Sequence, residues 1–175
     1  AIRTSAPACV IDHIKITEIK VRGIYVLGAQ GNVPSPNAVI YACELYGRSS
    51  AGTSQLITVQ SNDYAIAPAS DSGTQGSWYR DAGLGSADAV FVEGCILYNS
   101  YAQDSTIETY WGGRVVVRYC TLTNFIVGAH GNDSSSRSGH TIEVYENTIT
   151  QTLVDGIFTE VNVRGGTALY HDNTI

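Results

Sequence analysis

The chain has 175 residues, 43% of them apolar, which is enough for a full hydrophobic core and excludes a purely linker or disordered role. Charged residues make up only 15%, and ten Lys plus Arg against sixteen Asp plus Glu leave a net charge of -6, which argues against nucleic-acid binding through phosphates. No apolar run reaches the length of a membrane span and no amino-terminal signal pattern is seen, so a membrane partner is not expected. The chain lacks Met, which leads us to expect a processed form or a fragment. Frequent Gly, Tyr, Ser, Thr and Asn suit strands and turns better than helices. Cys9, Cys43, Cys95 and Cys120 form no CxxC pair and have no His at zinc spacing, so no zinc site is expected. Few cysteines beside many hydroxyl and amide side chains fit an extracellular, secreted protein.

Six stretches can be laid over one another: 9–16, 38–45, 90–97, 115–122, 142–149 and 168–175. Their starts lie about 25 to 29 residues apart, with one gap near twice that between the second and third. Ile11, Ile40, Val92, Val117, Val144 and Tyr170 form one apolar column, and Ile16, Leu45, Leu97, Leu122, Ile149 and Ile175 another. Their alternation predicts strands with one face inside. The sixth position reads Ile14, Cys43, Cys95, Cys120, Asn147, Asn173, and aligned amides at a turn can hydrogen-bond along a stack. A helical repeat is disfavoured, because the units are rich in Val, Ile, Tyr and Thr and are separated by Gly, Ser, Asn and Asp. The expectation is one all-β domain over residues 1–175, a right-handed parallel β-helix (solenoid) of about seven coils. Residues 62–88 interrupt the pattern as a loop excursion beside the outer surface, placed to wall a groove.

The position after the third in each stretch should face outward, and its column reads Asp12, Tyr41, Glu93, Arg118, Tyr145, His171. Glu93 and Arg118 are then neighbours on adjacent coils, with Tyr145 next. Such a strip is either a solvated surface ladder or a polar and aromatic track for a sugar polymer lying along the axis. Trp78, Tyr79, Tyr110 and Trp111 lie in or near loops, where aromatic faces either stack on sugars or pack a loop down; Trp111, just before Gly112-Gly113, is the stronger substrate-binding candidate. His130, in Gly128-Ala-His-Gly-Asn132, echoes Gly28-Ala-Gln-Gly-Asn32 and is read either as a variable turn residue or as a general acid or base. Arg137, in a Ser-rich turn, is a basic substrate-binding candidate. Cys95 and Cys120, at equivalent places in adjacent coils, are compatible with a disulfide or with two stacked thiols. The last repeat, ending Asn173-Thr-Ile175, would leave strand edges open, which leads us to expect either a fragment or a homo-oligomeric or capping partner that completes the stack.

From about Gly85 to Ile175 the rungs resemble those of the pectin-lyase-like right-handed β-helix superfamily, which often read apolar-x-apolar-x-x-Asn-x-apolar. The order of 89–97, 104–108, 115–125, 128–134 and 142–149 is similar to the pectate lyase layout, with its "VWIDH" strand, acidic calcium-binding turn, "VTISWN" strand and arginine-bearing strand. The resemblance implies calcium held near Asp104 and Glu108, which would neutralise a uronate carboxylate and ease removal of the neighbouring proton. It also implies catalytic roles for Arg164 and Arg118, while Glu93 and Tyr145 are substrate-contact candidates from the outward strip. This sequence departs from the pattern at three places: Glu93 stands for the family's Asp, Gly94 for its His, and the arginine before Arg164 is missing. The polygalacturonase pattern is not met, because Ala129 breaks Gly-His-Gly and no Asp-Asp pair exists. Two functions follow as expectations. One is a carbohydrate-binding or carbohydrate-active protein on an extracellular polysaccharide, with lyase chemistry by β-elimination if it is an enzyme. The other is a non-catalytic structural or adhesive module of a fibre or tailspike.

Overall fold

The computed structural model describes residues 1–5, 8–28, 37–48, 55–60, 83–100, 106–110, 112–129, 139–152 and 161–175. Among these the chain forms strands and no helix, and the strands stack into three parallel sheets. Sheet A contains β1 (Ile2–Thr4), β4 (Arg22–Leu27), β7 (Gln55–Gln60), β10 (Ile107–Tyr110), β13 (Val127–Ala129) and β16 (Val161–Val163). Sheet B contains β2 (Ala8–Asp12), β5 (Asn37–Tyr41), β8 (Val90–Glu93), β11 (Arg114–Arg118), β14 (Thr141–Tyr145) and β17 (Thr167–His171). Sheet C contains β3 (Lys15–Ile19), β6 (Glu44–Gly47), β9 (Ile96–Asn99), β12 (Thr121–Thr123) and β15 (Thr148–Thr150). Chain order passes repeatedly from A to B to C, which is the arrangement of a parallel β-solenoid.

The two apolar columns legible in the repeat are the inner rows of sheets B and C. Ile11, Ile40, Val92, Val117, Val144 and Tyr170 are register partners across sheet B, and all but the last are buried. Ile16, Leu45, Leu97, Leu122 and Ile149 are likewise register partners across sheet C, buried except for the half-buried Ile16, while Ile175 is exposed. Sheet A supplies the third wall through Ile2, Ile24, Ile57, Ile107, Val127 and Val161. Its strands fall outside the aligned stretches and have no column in the repeat. The double-length gap in the repeat does not mark a skipped strand of sheet B, because β5 pairs directly with β8.

Each passage from sheet B to sheet C turns on a residue in the left-handed region: His13, Ala42, Gly94, Tyr119, Glu146 and Asp172, with φ between 50° and 58°. Gly94 takes this conformation without a Cβ penalty, whereas a non-glycine residue meets its own carbonyl there. The next residue on five of these corners is Cys43, Cys95, Cys120, Asn147 or Asn173, and all five make the same bonds. Asn147 Nδ2 donates to the carbonyls of Tyr145 and Val117, 2.9 and 3.0 Å away, and its Oδ1 accepts the Cys120 amide at 2.9 Å. Cys120 Sγ in turn donates to the carbonyls of Arg118 and Val92 at 3.2 and 3.5 Å and accepts the Cys95 amide at 3.4 Å. Cys95 and Cys43 repeat the pattern, and Asn173 begins it by accepting the Asn147 amide at 3.1 Å. Thiol and amide are therefore interchangeable here, since each is a small donor and acceptor that satisfies backbone groups no water reaches. All four cysteines are free thiols, which decides between the two readings of Cys95 and Cys120.

Candidate functional site

The outward column predicted from the repeat is present in register. Asp12 pairs with Tyr41, Tyr41 with Glu93, Glu93 with Arg118, Arg118 with Tyr145 and Tyr145 with His171. At about 4.8 Å per strand the strip is roughly 24 Å long. Its centre is Arg118, at the carboxyl end of β11. The Arg118 Nε donates to Glu93 Oε1 at 2.7 Å, Nη2 pairs with the same carboxylate, and Nη1 donates to Tyr145 Oη at 2.9 Å. The guanidinium also lies 5.2, 5.5 and 6.0 Å from the ring centroids of Phe91, Tyr119 and Tyr145. Burial alone would lower its pKa, but the hydrogen bonds it donates to Tyr145 and Glu93 and the Glu93 charge outweigh it and hold the group above its ordinary value. Of the five N–H donors an arginine carries, three are engaged by Glu93 and Tyr145, and two have no partner among the described residues.

The aromatic part of the strip continues toward β17. Tyr145 and His171 stack with centroids 5.0 Å apart and planes 11° from parallel, and His171 Nδ1 lies 2.8 Å from Asp172 Oδ2. At the other end, His13 meets the Tyr41 ring edge-on at 5.8 Å.

A cavity of about 230 Å³ opens beside Arg118, lined by Phe91, Val116, Glu143 and Tyr145 from the sheet and by residues 85–87 above it. Phe91, Val116 and Glu143 belong to the next outward row, which runs Val10, Val39, Phe91, Val116, Glu143, Leu169. Glu143 is 3% exposed, and both its oxygens accept the Gly85 amide, at 3.0 and 3.2 Å. Gly85 adopts φ 75°, a conformation that glycine takes without strain and that carries its N–H in reach of the carboxylate. The cavity thus has an apolar floor, a fixed cation on one side and a fixed carboxylate on the other. Glu143 and Phe91 were missed from the sequence. Their signal was available: moving the outward reading two residues back along each strand gives an apolar row broken by one acid.

The remaining predicted residues are scattered. Arg164 lies in the bend between β16 and β17, before Thr167, at the opposite end of β17 from His171 of the Arg118 column. Glu108, expected in an acidic turn, is instead in the middle of β10 in sheet A, 1% exposed, with Thr58 and Gly128 as register partners. Asp104, Trp111, His130 and Arg137 lie outside the described residues, as do Trp78 and Tyr79. Among the described residues no three His, Cys, Asp or Glu side chains gather as a metal would need, and Asp104, the other residue expected near calcium, lies outside them.

Comparison with protein families, with curated protein sequences and with solved structures returns no match. The chemistry of this surface rests on its own geometry.

Proposed function

We propose that the chain is a carbohydrate-binding protein that takes an extracellular polysaccharide along the outer face of sheet B, and that its solenoid is a right-handed β-helix of the pectin-lyase-like type. The observation that carries this reading is Arg118, fixed by Glu93 and Tyr145 with two N–H donors unpartnered among the described residues, between a stacked aromatic pair and a cavity with a buried carboxylate. A sugar ring offers an apolar face for the aromatics and hydroxyl groups for fixed donors and acceptors. The left-handed corners and the Asn ladder that follows them support the helix type, since the resembling family places Asn at that point of its rungs.

Binding is favoured over β-elimination. An arginine base must be deprotonated to accept the substrate's proton, whereas Arg118 is held protonated by a carboxylate and a phenol. Arg164 sits at the far end of the strand from the strip.

A panel of neutral and uronic-acid polysaccharides, assayed by calorimetry with calcium and with chelator and by ultraviolet detection of unsaturated products, tests the proposal. Saturable binding that is lost in a folded Arg118→Ala variant supports it. Unsaturated products would convert the reading to a lyase, and no binding to any glycan would sink it in favour of a structural or adhesive module.

A further inference from the structure

Sheet C carries a second cleft, of about 380 Å³, lined by Glu18, Tyr46, Gly47, Arg48, Tyr98 and Ser100 among others. It lies on a different face from the Arg118 strip and shares no residue with it. Tyr46 and Tyr98 are register partners on β6 and β9, with ring centroids 6.2 Å apart and planes at 38°. The rings therefore form a shallow V rather than a closed stack. Lys15 Nζ stands 5.1 Å from the Tyr46 centroid, which leaves Tyr98, 39% exposed, as the more open platform.

The polar rim is built by an irregularity. The register of β3 against β6 shifts between Ile16 and Ile19, and within that bulge Glu18 adopts φ 57°. Bulges re-aim side chains, and here the Glu18 carboxylate receives Arg48 Nη1 at 2.7 Å. On the same side Lys15 pairs with Glu44 at 2.7 Å, and Glu44 also accepts the Tyr46 hydroxyl at 3.2 Å. Arg48, the cation in the lining, and Lys15, which stands outside it over the Tyr46 ring, thus each already face an anion. A charged ligand would have to break one of these pairs, whereas an uncharged, hydroxylated ring finds donors and acceptors around an aromatic floor without doing so.

We propose that this cleft is a second carbohydrate subsite, taking one uncharged pyranose unit stacked on Tyr98 and hydrogen-bonded by Arg48 and Glu18. It rests on the proposed function only for the class of ligand, since its residues are separate. Its volume lies within the range of small-ligand sites, about 300–1,000 Å³.

The test is a titration of the full chain, carrying isotope-labelled tyrosine, with neutral xylo-, cello- and manno-oligosaccharides and with oligogalacturonate. The ring signals of Tyr46 and Tyr98 are followed by nuclear magnetic resonance. A saturable shift at both rings with a neutral oligosaccharide is expected, weakened about tenfold in Tyr98→Ala and kept within about twofold in Tyr98→Phe. The same shift should persist in Arg118→Ala, which removes only the sheet B site; loss of sheet B binding with this shift retained separates the two readings. The subsite proposal is overturned if no neutral sugar moves either ring, if only oligogalacturonate does, or if Tyr98→Ala binds as well as the parent. Should Tyr98→Ala fail to fold, the Tyr98→Phe titration and the shifts of the parent chain still decide.

Discussion

Two columns run side by side along one edge of sheet B, and they obey opposite rules. The corner column points inward and performs one task at five of its six corners, where Cys43, Cys95, Cys120, Asn147 and Asn173 are small groups that can both donate and accept; only the first corner carries an apolar residue, Ile14. Two residues earlier, the outward column changes chemical type at every coil, from Asp12 through Tyr41, Glu93, Arg118 and Tyr145 to His171. The backbone imposes the first pattern, because a buried amide or carbonyl at the corner must be paired whatever the protein does. Nothing in the backbone imposes the second. Constancy along a solenoid column therefore reports structure, and a concentrated change of chemistry along a column is where a ligand surface should be sought.

The largest effect that would sharpen this contrast is at Asn147. Its side chain bonds the Cys120 amide and the carbonyls of Val117 and Tyr145, and Asn147→Ala leaves those buried groups unpaired. A loss of about 3 kcal/mol in urea unfolding is expected, at roughly 1–3 kcal/mol for each buried group left unsatisfied and with some repair by relaxation. Asn147→Cys should recover about half of it, since the cysteines at the neighbouring corners already do the same work. An equal loss for both variants would break the claim that thiol and amide are interchangeable there.

Gly94→Val comes next. Position 94 holds φ 58° and a Cβ there would touch only the Tyr41 ring, at 3.6 Å, so the cost is conformational rather than steric crowding. A β-branched residue in the left-handed region should cost about 2 kcal/mol. Gly94→Asn should cost less than about 1 kcal/mol, because Asn tolerates that region.

On the outward column the effects should fall on binding rather than stability. Arg118→Ala is expected to weaken glycan affinity about tenfold or more while changing unfolding free energy by about 1 kcal/mol or less, the size expected of a partly exposed ion pair. Glu93→Gln should weaken binding less, because it removes a partner that orients Arg118 but leaves the guanidinium in place. If Arg118→Ala destabilised the chain as much as Asn147→Ala, the distinction between the two columns would fail.

The corner and the strip were both legible in the repeat because each is a single position recurring once per coil. Sheet A was not, although Ile24, Ile57, Ile107 and Val127 are as buried as any residue of the core. The connections before β4, β7, β10 and β13 differ in length, so their residues do not fall at a fixed distance from the aligned stretches. Glu108 was misplaced for the same reason: an acid between Thr106-Ile107 and Thr109-Tyr110 reads as loop until the pairing of β10 with β7 and β13 puts it in a strand. Glu143 was hidden differently. Its neighbours in sequence are apolar, and only the contact with Gly85, 58 residues away, shows that the carboxylate is held against the cavity.

The smallest expected effect concerns pH and belongs to the corner column. Burial raises the Cys43 thiol above its ordinary value of 9.0; in the coupled pair beside it the bond between the two thiols raises Cys120 and lowers Cys95, so their contributions to pH dependence oppose one another. A thiol whose folded pKa is raised contributes stability that is complete below the unfolded value. That contribution is lost as the pH climbs through the folded one, because the unfolded chain ionises first. The contribution of Cys43 should therefore decline from about pH 9 upward, and Cys43→Ala should shift the alkaline pH dependence of stability in the opposite sense even though it lowers stability at neutral pH. Urea midpoints at a series of pH values between neutrality and the alkaline range would check both. A disulfide reagent at mild pH offers a parallel readout. Cys9, half-buried on β2, should react before Cys43, Cys95 and Cys120, whose modification should wait on opening of the ladder. Fast reaction of all four would mean that the thiols are not holding the corner, and the equivalence of cysteine and asparagine along the column would have to be abandoned.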